Sequence, residues 1–124
     1  MVVSLLRKGK QMTSSTPLPG RPVRGSDTGR PVMALLDLLG RRWVLRILWE
    51  LRTGATPNFR RLQQSCGNVS SSVLATRLRE LGEAALVEHT GDGYALTAQG
   101  AALLELLAPL DVWASEWRPR SAEE

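Results

Sequence analysis

The sequence contains one cysteine, one histidine, one tyrosine and one phenylalanine, and only two of its 16 basic residues, Lys8 and Lys10, are lysine. A single cysteine excludes an internal disulfide, and with it the small secreted domain held by cysteine bridges. The lone His89 has no second histidine or cysteine near it in sequence, so no metal site is expected, and nothing calls for another cofactor. No apolar run approaches the ~18–20 residues of a membrane span. The first apolar stretch, Val2 to Leu6, is interrupted by Ser4 and followed by Arg7, Lys8 and Lys10, the reverse of the order in a signal peptide. These absences predict a soluble cytoplasmic protein that does not meet a membrane. A Gly-rich phosphate loop, a Ser-His-Asp set and a motif-placed carboxylate pair are also missing, so the chain is not expected to be an enzyme.

What is present fits one domain of 124 residues, 43% of them apolar. The net charge of +4 is unevenly distributed. Residues 1–30 carry six basic residues against Asp27, a net of +5, and residues 41–79 carry eight arginines against Glu50, a net of +7. Residues 80–124 hold nine acids against Arg118 and Arg120, a net of −7. Such a division fits a face built to meet a polyanion, although opposite charges pairing across the fold would give the same count and a neutral surface.

Pro17, Pro19, Gly20, Pro22 and Gly25 fall within residues 1–30, which lack any sustained apolar period and read as a flexible basic arm. That arm either tracks phosphates or a minor groove, or is a disordered extension without a role, or reflects a misassigned start, since Met12 and Met33 lie downstream. Residues 31–120 form the domain, and residues 121–124 a tail. Val32, Leu35, Leu36 and Leu39 recur at helical spacing after Pro31. Beyond Gly40, the residues Trp43, Ile47, Leu48 and Leu51 repeat the period as far as Gly54. Asn58 should cap a short helix carrying Phe59 and Leu62, and Ser70 a second helix with Val73, Leu74, Leu78 and Leu81 inside. Two short strands around Thr90-Gly91-Asp92-Gly93 predict a β-hairpin. Thr97 should cap a last helix in which Leu103, Leu106, Leu110, Trp113 and Trp117 follow steps of 3, 4, 3 and 4, an a/d seam. Pro109 should kink that helix or break its hydrogen bonding locally.

The short helix, the turn Cys66-Gly67-Asn68-Val69 and the following helix have helix-turn-helix spacing. In that motif the second helix enters the major groove with its N-terminal residues nearest the bases. Ser70, Ser71, Ser72, Ala75 and Thr76 are small or hydroxylated enough for close approach, and helix N-terminal N–H groups can meet phosphate. Arg60, Arg61, Arg77 and Arg79 are candidate phosphate contacts, with Arg77 alternatively bracing the fold through a carboxylate. The hairpin would be a wing, with His89, Thr90 and Asp92 at or near its tip. Cys66, in the turn, is either a redox-sensitive thiol placed to disturb docking or a small, partly buried apolar residue. Trp113 and Trp117 line either a ligand pocket or the seam.

These segments resemble HxlR-type winged helix-turn-helix transcriptional regulators. The likeness rests on Pro31-Val32 with Leu36-Asp37-Leu38-Leu39-Gly40-Arg41-Arg42-Trp43, and on Val69-Ser70 with Val73-Leu74-Ala75-Thr76-Arg77-Leu78-Arg79-Glu80-Leu81. It continues through Leu86-Val87 and Tyr94-Ala95-Leu96-Thr97-Ala98-Gln99-Gly100, and covers residues 31–117. The resemblance implies an α+β, mainly α, winged helix-turn-helix with a short hairpin and a long C-terminal dimerisation helix. It further implies a bacterial or archaeal homodimer on double-stranded DNA at an inverted repeat, paired through terminal helices. Val32, Leu35, Leu36, Leu103, Leu106, Leu110, Trp113 and Trp117 are then the interface. Arg30 stands where many relatives carry a cysteine, which argues against thiol sensing there, and Ser71 and Ser72 replace a frequent Pro and Lys, so the operator does not transfer. The expected function is a sequence-specific regulator, a repressor, with a small-molecule effector that the residues do not name. The rival from another class is a winged helix that binds protein partners.

Overall fold

A computed structural model describes residues 15–120. Its elements run in the order α1 (Pro31–Leu39), α2 (Val44–Glu50), α3 (Phe59–Ser65), α4 (Ser71–Glu83), β1 (Val87–Thr90), β2 (Gly93–Leu96) and α5 (Ala98–Glu116). The fold is mainly helical, with one antiparallel hairpin pairing Val87 with Leu96 and Thr90 with Gly93.

Local chemistry sets most of the boundaries. Pro31 occupies the first turn of α1, where a missing N–H costs nothing. The caps expected at Asn58, Ser70 and Thr97 all form: their side-chain oxygens accept from the backbone N–H of Arg61, Val73 and Gly100 respectively. Gly91, at the first position of the hairpin turn, supplies a φ of 56°, as a two-residue hairpin loop demands. Helix α2 starts one residue later than its apolar period suggests, because Trp43 turns the chain at its N-cap with a left-handed φ of 79°. Pro109 does not interrupt α5, which runs unbroken through it. The carbonyl that loses its helical donor belongs to Glu105, on an exposed stretch where water can replace it.

The core gathers Leu38, Leu39, Val44, Ile47, Leu48 and Leu51 from the first two helices with Leu62, Cys66 and Val69 from α3 and the turn. Leu74, Leu78 and Leu81 of α4 and Leu86 and Val87 of the hairpin close it. Helix α4 is thus held along one side, which positions its other side outward. The first turn of α5 presses on the strand entry, where a Cβ on Gly100 would lie 2.2 Å from the Leu86 carbonyl oxygen. The hairpin is anchored at its far strand: the Tyr94 N–H donates to the Pro57 carbonyl oxygen at 2.9 Å.

Residues 15–30, expected to belong to a flexible arm, instead lie against the body, while residues 1–14 fall outside the described residues. Thr16 and Pro17 are buried. The Thr16 hydroxyl donates to Glu83 on α4, the Arg24 N–H donates to Asp37 on α1 at 3.1 Å, and Arg41 donates to the Ser15 carbonyl at 3.2 Å. Residues 20–29 close into a compact loop through Gly20 N–H to the Gly29 carbonyl and two bonds between Val23 and Ser26. Pairing with distant polar groups holds this strap in place, so apolar periodicity carried no sign of it.

Candidate nucleic-acid interface

Helices α3 and α4 with the turn between them form the helix-turn-helix. Gly67 and Asn68 both adopt left-handed backbone, with φ of 82° and 63°, which reverses the chain in few residues. Gln63 cross-braces the motif, donating to the Val69 carbonyl at 2.8 Å and to the Ser71 hydroxyl at 3.2 Å. Arg46 donates to the Ser65 carbonyl at 2.7 Å, satisfying the C-terminal end of α3, and pairs with Glu50 at 2.9 Å.

The outer face of α4 is laid out by its buried one. With Leu74, Leu78 and Leu81 inside, Ser71, Ser72, Ala75 and Arg79 are exposed on the opposite side. Ser70 is exposed, but its hydroxyl is committed to the cap; the Ser71 hydroxyl is held by Gln63. Ser72 and Ala75 therefore offer the least encumbered approach. Thr76, expected to point fully outward, is half-buried. Arg60 and Arg61 are exposed at the start of α3, and Arg79 is exposed with a loose pair to Glu83 at 3.3 Å. On the hairpin, His89 and Thr90 are exposed, and His89 stacks on Tyr94 with ring centroids 4.5 Å apart.

Arg77 does not belong to this face. Its Nε donates to the Arg42 carbonyl at 2.8 Å and its Nη1 to Glu80 at 2.9 Å, so the bracing alternative describes its position. Glu80 was not anticipated as a structural residue. It is 2% exposed, the one buried charged side chain among the described residues, and its second oxygen accepts from Arg41 at 2.6 Å. The Arg41–Glu80–Arg77 cluster ties the corner between α1 and α2 to the middle of α4. The available sequence signal was angular: Val73, Arg77 and Glu80 share one side of the helix, next to the apolar stripe.

Cys66 is 1% exposed and packs in the core. Burial pushes its thiol above the ordinary range, reinforced by the nearby Glu50 carboxylate and opposed by Arg46. The residue thus takes the alternative of a small core side chain; a buried protonated thiol is a poor nucleophile and does not serve as an exposed redox sensor.

The expected interface residues divide. Leu35 and Leu103 are partly buried against the chain's own core. Val32, Leu36, Leu106, Leu110, Trp113 and Trp117 remain 54–72% exposed, and the two tryptophans stack with centroids 5.5 Å apart. Among the described residues, no group of three potential metal ligands occurs and no helix is long and apolar enough to cross a membrane.

A family model described as HxlR-like helix-turn-helix matches residues 38–122. The uncharacterized HTH-type transcriptional regulator YvaP of Bacillus subtilis (strain 168) is 33% identical over 89 residues, which cover 66% of this chain and 82% of that protein. Among solved structures, quinone-bound YodB from B. subtilis is 29% identical with a TM-score of 0.65, covering 69% of this chain and 97% of that one. A possible HxlR family transcriptional factor from Thermoplasma volcanium GSS1 is 32% identical with a TM-score of 0.60, covering 68% and 82%. The family match takes in the end of α1 and everything through α5, and leaves the strap outside it.

Proposed function

The chain belongs to the HxlR-like helix-turn-helix family of DNA-binding transcriptional regulators, and on that premise we propose that it is a cytoplasmic repressor acting as a homodimer on an inverted-repeat operator. The outer face of α4 supports this reading most. Ser72 and Ala75 approach base edges, Thr76 contributes from the margin, and Arg79 with Arg60 and Arg61 meets phosphates. The free N–H groups at the start of α4 add a phosphate contact without side-chain charge. His89 and Thr90 present the hairpin to the flanking backbone.

The second copy covers the exposed apolar face of α1 and α5, with Leu110, Trp113 and Trp117 at its centre. Pairing there sets two α4 helices about 34–36 Å apart, one turn of DNA, and blocks the promoter sterically. An effector acts by altering that spacing through α5. Thiol chemistry has no part in the proposal, because Arg30 precedes Pro31 and Cys66 is buried.

The test is a polarisation titration of the full chain on the DNA upstream of its own gene, with scrambled competitor, at two salt concentrations, followed by transcription in vitro from that promoter. Tight binding that scrambled DNA does not remove, with log affinity falling by about 0.9 per phosphate neutralised against log salt, and reduced transcription are expected. Equal competition by scrambled DNA would favour a protein-interaction role instead.

A further inference from the structure

The strap and the body border two neighbouring, open polar clefts of about 320 and 360 Å³. They share Arg24, Asp37 and Arg41 as walls; Arg77 and Leu36 complete one and Arg21 the other. Four arginines from three separate parts of the chain thus line two neighbouring depressions. Three carboxylates oppose them: Asp37 accepts from the Arg24 backbone N–H, Glu80, behind the wall, holds Arg41 and Arg77, and Glu83 accepts from the Thr16 hydroxyl and feels the Arg21 charge, which leaves one positive charge in surplus.

The donors left over are specific. Among the described residues, the Arg24 guanidinium makes no hydrogen bond and no ion pair, and Arg21 spends only one nitrogen, on the Thr16 carbonyl at 2.7 Å. Arg77 uses Nε and Nη1 and keeps Nη2 free. Arg41 is held in place by Glu80 and the Ser15 carbonyl, so its charge is fixed at the cleft wall. Planar guanidinium forks with spare donors and surplus positive charge match the paired oxygens of carboxylate and phosphoryl groups.

We propose that this pair of depressions is a binding site for a small organic dianion, a dicarboxylate or a phosphate monoester. Its volume suits a compact metabolite. DNA is the wrong occupant on geometry: residues two apart on a helix lie about 200° around its axis, so Arg77 faces away from Arg79 and Ala75. The strap supplies Arg21 and Arg24, and it lies outside the residues matched by the family model. Because Arg41 and Arg77 also hold Glu80 on α4, an occupant here touches the groups that orient that helix. The site does not depend on the repressor reading, and either can fail alone.

The test is isothermal titration calorimetry of the full chain with inorganic phosphate and, separately, with succinate, ionic strength being held constant with sodium chloride. One saturable site per chain is expected with at least one of the two, and the anion that binds identifies phosphoryl or carboxylate chemistry. Arg24→Ala, at an exposed side chain without partners, should weaken binding about tenfold or more, and Arg21→Ala should do the same. The charge-matched control Arg118→Ala, at an exposed residue that lines neither cleft, should leave it unchanged. The proposal is overturned if neither anion gives saturable binding up to about 10 mM. It is equally overturned if Arg24→Ala binds like wild type, or if Arg118→Ala weakens binding as much as Arg24→Ala, since the effect would then be net charge alone.

Discussion

Replacing Glu80 with glutamine keeps the side-chain shape and removes one charge. In the native fold this carboxylate, 2% exposed, accepts from Arg41 at 2.6 Å and from Arg77 at 2.9 Å. Glutamine retains one acceptor oxygen and turns an amide N–H₂ towards a guanidinium, so one arginine faces a donor. Breaking a buried ion pair on one side costs about 3–5 kcal/mol, chiefly because a charge is left without its partner. Here the arginines are 30% and 20% exposed and regain some water, which places the cost near the lower end, about 3 kcal/mol. For a domain of this size that lowers the melting temperature by roughly 10–20 °C. Urea unfolding followed by far-UV circular dichroism, at one fixed protein concentration because the stability of the proposed dimer would depend on it, measures the loss directly. Replacing the cluster together, with Arg41→Met, Arg77→Met and Glu80→Met, should come within about 1 kcal/mol of wild type, since no charge is then stranded. A Glu80→Gln variant within about 0.5 kcal/mol of wild type would refute the reasoning and reduce the cluster to an ordinary surface pair.

Four further outcomes follow from the same geometry. Leu110→Asp should give a monomer by sedimentation, because the proposed partner face would have to bury an unpaired carboxylate; a variant that stays dimeric removes Leu110 from the interface. Arg79→Ala should lower DNA affinity about equally for all sequences and reduce the salt slope by about 0.9; an unchanged slope means that Arg79 meets no phosphate. Cys66 should resist alkylation in the native protein and react once urea unfolds it, and because its thiol is raised in the fold, stability should fall as pH climbs above the ordinary thiol range of about 8.5. Glu83 lies below its usual range because the Thr16 hydroxyl donates to it, with Arg79 and Arg21 assisting against burial. Its contribution is present above about pH 4.3 and disappears as pH falls through the lowered value. The stability difference between wild type and Thr16→Val should therefore shrink on acidification, and a difference that persists in strong acid would contradict the assignment.

The parts of this fold that were legible in the sequence are those specified by neighbours in the chain. Asn58, Ser70 and Thr97 cap helices through bonds to residues three positions on, and the hairpin turn rests on Gly91, so short-range chemistry sufficed. The outer face of α4 followed from the period of Leu74, Leu78 and Leu81. What escaped depends on pairing across long separations. Glu80 is buried because Arg41, 39 residues away, reaches it, and Arg77 leaves the outer face because a carbonyl 35 residues away accepts from it. The strap is ordered by Thr16 meeting Glu83 at a separation of 67 residues. Leu35 and Leu103 looked like their neighbours on the seam, but which leucines a core absorbs depends on how helices cross, and a one-dimensional period does not contain that angle.

The proposed DNA-reading surface is the outer face of α4. Amide chemical-shift mapping during titration with an operator duplex of about 20–25 base pairs tests it residue by residue. The largest perturbations are expected at Ser71, Ser72, Ala75, Thr76 and Arg79, with smaller ones at Arg60, Arg61, His89 and Thr90. Perturbations confined to the exposed apolar face of α1 and α5, with α4 silent, would contradict that assignment.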